Sequence, residues 1–155
     1  MMEQGLDYEQ EIKMEKIFSK DGNTLLHIIH RISDFDSRNE LVSPDQTLQV
    51  ASLELIGENT FRAHRHITKE IHSDETIAQE SWVIISGEVK VDYYDLDDSF
   101  IKSLILSTGD CSITLQGGHG YSSTTDVLVY EFKTGPYLGQ ILDKVFIDAH
   151  DSVGG

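Results

Sequence analysis

Between positions 47 and 134 the chain runs as short segments of strand length in which apolar and polar residues alternate. The segments 47–56, 61–67, 81–86, 88–94, 101–106, 111–115 and 127–133 are each rich in β-branched or aromatic residues, which suit a pleated, half-buried surface. The gaps between them carry turn chemistry: Gly57-Glu58-Asn59, Ser86-Gly87, Asp95 to Ser99, Thr108-Gly109-Asp110 and Gly117-Gly118. Many short strands at regular spacing predict an all-β sandwich or barrel. Ahead of this run, Ile12, Ile17 and Phe18 share one face of a predicted short N-terminal helix over 8–20, which Asp21-Gly22-Asn23 stops. Residues 25–32 predict one more strand, and 33–46, with Pro44, a polar loop. The pattern divides the chain into an N-terminal extension packing on the barrel (1–46), the barrel itself (47–134) and a C-terminal tail (135–155).

One predicted strand carries chemistry. In Phe61-Arg62-Ala63-His64-Arg65-His66-Ile67, residues two apart share a face, so Arg62, His64 and His66 are expected to project together. Two imidazoles at this spacing can hold one ion, although surface histidines share the spacing as well. Downstream, Glu80 is followed by six residues and Gly87, and Gly109-Asp110 by a β-run and Gly117-Gly118-His119.

This layout resembles the cupin superfamily, whose first motif has the form G…HxH…E(x6)G and whose second has G(x5)PxG…H. The match runs from Gly57 to His119. The resemblance implies a small single-domain double-stranded β-helix, or jelly-roll barrel. It also implies one divalent transition metal (Fe, Mn, Ni, Co or Zn) held by His64, His66, Glu80 and His119. The sequence departs from the motifs in the long stretch between His66 and Glu80, where T-K-E-I-H-S-D-E-T-I reads as an inserted loop and Glu70 is a rival ligand. Glu80 is preferred because its distance to Gly87 puts it at the start of the next strand. Leu115 stands where Pro is typical, and His119 sits one residue early.

A narrower resemblance covers most of the chain. It is to small cupin-fold metalloproteins of bacterial gene clusters for O-antigen and other surface polysaccharides. It rests on Asn39, Gln49, Arg62 to His66, the run from Tyr93 to Asp98, Glu131-Phe132-Lys133-Thr134-Gly135-Pro136-Tyr137 and Asp143-Lys144. Family resemblance further implies a homodimer.

Charge and composition narrow the partners. The 155 residues suit one domain, and the net charge of −15 disfavours nucleic acid and membrane surfaces. Cys111 is the single cysteine, so no internal disulfide forms. No basic and apolar leader opens the chain and no run reaches membrane-spanning length, which gives the expectation of a cytoplasmic protein. A small-molecule ligand is the expected partner.

Each candidate residue has a plainer alternative. Arg62 either clamps a carboxylate or phosphate of the substrate or pairs with an interior acid. Trp82, on Glu80's face, either stacks on a sugar ring or packs the core. Tyr121 either donates a hydrogen bond to ligand or fills the barrel mouth. His27, His30, His72 and His150 read as packed or exposed residues. Three functions follow: a metal-binding cupin acting on or binding a sugar-type or anionic metabolite, a metal-free sugar-nucleotide epimerase or ketoisomerase, or a non-enzymatic ligand-binding cupin. An oxygen-using dioxygenase is a fourth. The catalytic residues, and whether catalysis occurs, stay open at this point.

Overall fold

The alternation of apolar and polar residues is realised as strands that bury one face. In the computed structural model, which describes residues 11–71 and 74–148, the chain divides into two compact units, one ending at Phe35 and the other beginning at Asp36.

The first unit, over its described part, contains an antiparallel hairpin. β1 (Glu15–Phe18) pairs with β2 (Leu25–Ile29) through the turn at Asp21-Gly22, and a 3-10 turn follows at Ile32–Asp34. The N-terminal helix expected over 8–20 is therefore not found in its described part; residues 15–18 are strand. The breaker that was expected to end a helix instead closes a hairpin: Gly22 takes a positive φ of 77°, its N–H donates to the Ser19 carbonyl, and the Ser19 N–H donates to the Thr24 carbonyl. Four residues gain a cross-strand partner there, which outweighs a weak helical periodicity.

The second unit is built on two five-stranded sheets. One has the order β10 (Phe100–Ser107), β9 (Glu88–Tyr94), β12 (Gly118–Ser123), β5 (Asn59–His66), β14 (Lys144–Phe146). The other has the order β11 (Cys111–Thr114), β8 (Glu80–Ser86), β13 (Val127–Thr134), β4 (Leu48–Leu55), β3 (Arg38–Glu40). Their pairings are antiparallel throughout. The short hairpin β6 (Thr68–Ile71)–β7 (Asp74–Ile77) occupies the stretch expected as an inserted loop.

Ala51, Leu53, Trp82, Ile84, Val89, Val91, Tyr121, Val127 and Val129 form the shared core between the sheets. Polarity is graded along the strands that supply it. β8 buries Glu80, Trp82 and Ile84 in turn, β13 buries Val127, Val129 and Glu131, and β4 buries Gln49, Ala51 and Leu53. Lys133 pairs with both Glu80 and Gln49, so the polar ends of the three strands lie side by side. One end of the barrel is thus apolar, and the other collects buried polar groups that need partners.

β5 contains a bulge. His119 is opposite His64 and Tyr121 opposite Phe61, so β12 advances by two residues where β5 advances by three. The extra residue breaks the two-residue alternation at Arg62-Ala63. Gly120 faces it, and a Cβ there would stand 3.2 Å from the Ala63 Cα. As a result Phe61 turns inward, edge-to-face on Trp82 at 5.3 Å, and His64, three residues on, is also interior.

Candidate metal centre

Four of the sequence-predicted residues meet. His64 and His66 come from β5, Glu80 opens β8, and His119 lies in β12 opposite His64. Their side chains are buried, and one potential ligand atom from each lies within 4.8 Å of all the others. His66 Nε2 is 2.9 Å from Glu80 Oε2, and His119 Nε2 is 3.2 Å from both Glu80 Oε1 and His64 Nε2. The backbone of the rival Glu70 belongs to β6, paired with Glu75, and its side chain lies outside the described residues, as do His72 and His150.

The opposite ring nitrogens are engaged elsewhere. His64 Nδ1 donates to the Arg62 carbonyl at 2.9 Å. A carbonyl only accepts, so this bond leaves the His64 Nε2 lone pair facing the centre. His119 Nδ1 lies 2.6 Å from Thr114 Oγ1 and 3.3 Å from the Tyr121 hydroxyl. His66 Nδ1 faces Asp143 Oδ2 at 3.6 Å. Three rings therefore turn Nε2 inward and anchor Nδ1 outward, the arrangement that fixes tautomer and raises basicity in metal-bound imidazoles.

Burial sets the protonation states. His64 is pushed down to about 4 by burial, with the neighbouring His119 adding to the effect. Burial also opposes charge on His66, but the carboxylates of Asp143 and Glu80 outweigh it and raise the ring to about 9. Burial disfavours the Glu80 anion, yet the adjoining His119 and His66 rings hold it well below the usual carboxylate range. Burial raises Tyr121 well above the usual phenol value, so its hydroxyl stays protonated.

The donor set fits a transition-metal ion. Four atoms bonded to one ion at about 2.1 Å lie roughly 3–4 Å apart, close to the separations found. Two further observations agree. Two Nε2 atoms face each other across 3.2 Å in a buried site, and His66 Nε2 has no hydrogen bond of sound geometry despite the nearby carboxylate. Three imidazoles and a carboxylate suit Fe²⁺, Mn²⁺, Co²⁺, Ni²⁺ or Zn²⁺.

His64 and Glu80 open onto a cavity of about 660 Å³ whose wall includes Arg38, Gln49, Lys133, Tyr137 and Lys144. Trp82 and Tyr121, each read as either a ligand contact or packing, stack on each other at 3.8 Å with an interplanar angle of 4° and are almost fully buried. Trp82 Nε1 donates to Glu131 Oε2 at 3.0 Å, and Arg38 donates to Glu131 Oε1 at 2.7 Å. Arg62 differs from expectation. The bulge turns it away from the histidines, its guanidinium covers the Phe146 ring at 4.4 Å, and it lies 3.5 Å from Asp148, mostly exposed. The cationic side chains at the cavity are instead Arg38, Lys133 and Lys144. Strand periodicity carried no signal for Arg38 and Lys144, which come from short strands outside the main run, whereas Lys133 shares a face with Glu131 in β13.

By sequence the chain matches no protein-family model and no curated protein. By structure it resembles the capsular polysaccharide assembling protein CapF from Staphylococcus aureus, with a TM-score of 0.58, 14% identity, and coverage of 91% of this chain and 34% of CapF. A CapF structure with the inhibitor 3-isopropenyl-tropolone gives a TM-score of 0.56 at 17% identity, covering 72% of this chain and 31% of CapF. The chain thus spans about a third of the CapF length. An uncharacterised conserved protein with a double-stranded β-helix domain from Klebsiella pneumoniae gives 0.50 at 14% identity, covering 73% of this chain and 86% of that one. At these identities the likeness shows the fold alone, and with the two-sheet antiparallel topology it gives the chain a cupin-type double-stranded β-helix fold.

Proposed function

We propose that the protein is a metal-binding cupin that binds or acts on a small sugar-type or anionic metabolite in surface-polysaccharide metabolism. The observation that carries this reading is the convergence of three imidazole nitrogens and one carboxylate where a cavity of about 660 Å³ begins. His64, His66, Glu80 and His119 hold one divalent transition ion. Bound there, the ion polarises a carbonyl or hydroxyl oxygen or acidifies a bound water. Arg38, Lys133 and Lys144 orient an anionic or hydroxyl-rich ligand from the cavity wall, on a chain that is otherwise strongly acidic. Trp82 and Tyr121 shape the wall through their stacked rings; Arg62 has no part in it. The polysaccharide setting is supported by the fold likeness to CapF and by the tail motif from Glu131 to Lys144, much of which lines the cavity. A homodimer is part of the same reading, with edge strand β10 exposing Phe100, Ile101 and Ile105 to a second copy.

The test is thermal unfolding of chelator-stripped protein with single divalent ions added, alone and with sugars, sugar acids or sugar nucleotides. One ion should raise the midpoint, and one ligand class should raise it further only when that ion is present. No response to any ion contradicts the reading.

A second reading has its own observation: His66 is raised to about 9 while its neighbour His64 is lowered to about 4. Two groups pushed apart in this way are an acid and a base ready for metal-free epimerisation or isomerisation. It predicts exchange of a substrate hydrogen with solvent deuterium in excess chelator. The metal reading predicts none.

A further inference from the structure

The sequence motif Asp143-Lys144 lies beyond the 47–134 run that was expected to build the barrel, yet it reaches the centre. Asp143 closes the single turn α1 (Gln140–Asp143), immediately before β14. Its side chain is almost fully buried, and Oδ2 faces His66 Nδ1 at 3.6 Å. Its position is fixed twice by backbone: the Ile67 N–H donates to its carbonyl at 3.2 Å, and the next residue, Lys144, pairs with His66 in the β14–β5 ladder. Chain entering from Tyr137 thus places a carboxylate behind one imidazole, where Arg62 O and Thr114 Oγ1 stand behind the other two.

Resting on the metal-centre reading above, we propose that Asp143 is a positioning residue: it holds the His66 ring with Nδ1–H toward itself and Nε2 toward the centre. The 140–146 segment is then a working part of the site, and the barrel strands alone make an incomplete one. A carboxylate in this position keeps the ring in one tautomer and strengthens Nε2 as a donor, and loss of such a partner weakens metal binding by about 10–100-fold.

The test uses the full chain with Asp143→Asn and Asp143→Ala. Zn²⁺ affinity is measured by competition with a chelator, and the His66 ring nitrogens and Nδ1 proton are followed by NMR in metal-free and Zn²⁺-loaded protein. Both variants should bind Zn²⁺ at least about tenfold more weakly, Ala more than Asn, which keeps a neutral acceptor. The His66 ring signals should shift while those of His64 stay. If Asp143→Ala does not fold, the near-isosteric Asn variant decides. Parent-like affinity and parent-like His66 signals in Asp143→Asn overturn the proposal. If the parent itself binds no Zn²⁺, the metal-centre reading fails separately, and the metal-free His66 signals still decide the role of Asp143.

Discussion

His66 and His64 are neighbours on one strand with opposite charge preferences, and that difference is measurable. His66 keeps its proton up to about 9 in the folded protein, so the folded state holds the extra proton between its ordinary value of 6.5 and about 9. Stability therefore falls as pH rises through that window. His64 refuses a proton until about 4, so the unfolded chain holds the extra proton between about 4 and 6.5, and stability falls as pH drops there. The depressed Glu80 carboxyl adds to the acid-side loss. Metal-free protein should be most stable between roughly pH 6 and 7, with urea midpoints falling on either side. A flat profile contradicts these charge states. Metal uptake has a linked consequence: His66 Nε2 must lose its proton to accept an ion. About one proton per ion should be released near neutral pH, seen as a dependence of the calorimetric heat on the buffer's ionisation enthalpy.

At the scale of elements, the bulge in β5 and the glycines around the barrel set which side chains face the centre. The bulge sends Arg62 outward, so Arg62→Ala should change stability by less than about 0.5 kcal/mol and leave metal content as in the parent. A loss of metal in that variant would contradict the outward placement. Gly87 joins β8 to β9 at a φ of 93°, and a Cβ there would meet the Asp126 carbonyl oxygen at 2.5 Å. Gly87→Ala should cost about 1–3 kcal/mol in chemical unfolding, and an unchanged midpoint would show that the turn tolerates a side chain.

Local pattern made much of this legible. The strand alternation of β8 put Trp82 on Glu80's face, and the spacing from Glu80 to Gly87 marked the start and end of β8. His64 and His66 were visible as a pair, and His119, implied by the family resemblance, joins them in the buried group. Two kinds of error came from the same source. Period-two reasoning has no term for an inserted residue, so it put Arg62 on the histidine face. Helical periodicity over 8–20 has no term for the pairing partner that makes 15–18 a strand. Asp143 was visible as part of a motif, but its place behind His66 depends on a contact across 76 intervening residues, which no local pattern encodes.

At the scale of the whole molecule, a chain with a net charge of −15 gathers imidazoles and cationic side chains around one buried carboxylate cluster. Burying Glu80 and Asp143 beside three rings is costly unless the charges are matched, and a divalent ion matches them better than a proton shared between His66 and Glu80. The ion should then act as a structural link between β5, β8 and β12 as well as a functional group. Removal by chelator should lower the unfolding midpoint without changing the far-ultraviolet dichroism of the strands. An unchanged midpoint would show that the three strands are held equally well without it.

The central claim is that His64, His66, Glu80 and His119 hold one ion, and elemental analysis tests it most directly. The measurement is made on protein purified without a metal-affinity tag, alongside the His64→Ala/His66→Ala double variant, both after reconstitution with the divalent ions in turn. The account predicts about one equivalent of a single transition metal per parent chain and almost none in the variant. No metal in the parent with any ion, or equal metal in both proteins, would contradict it.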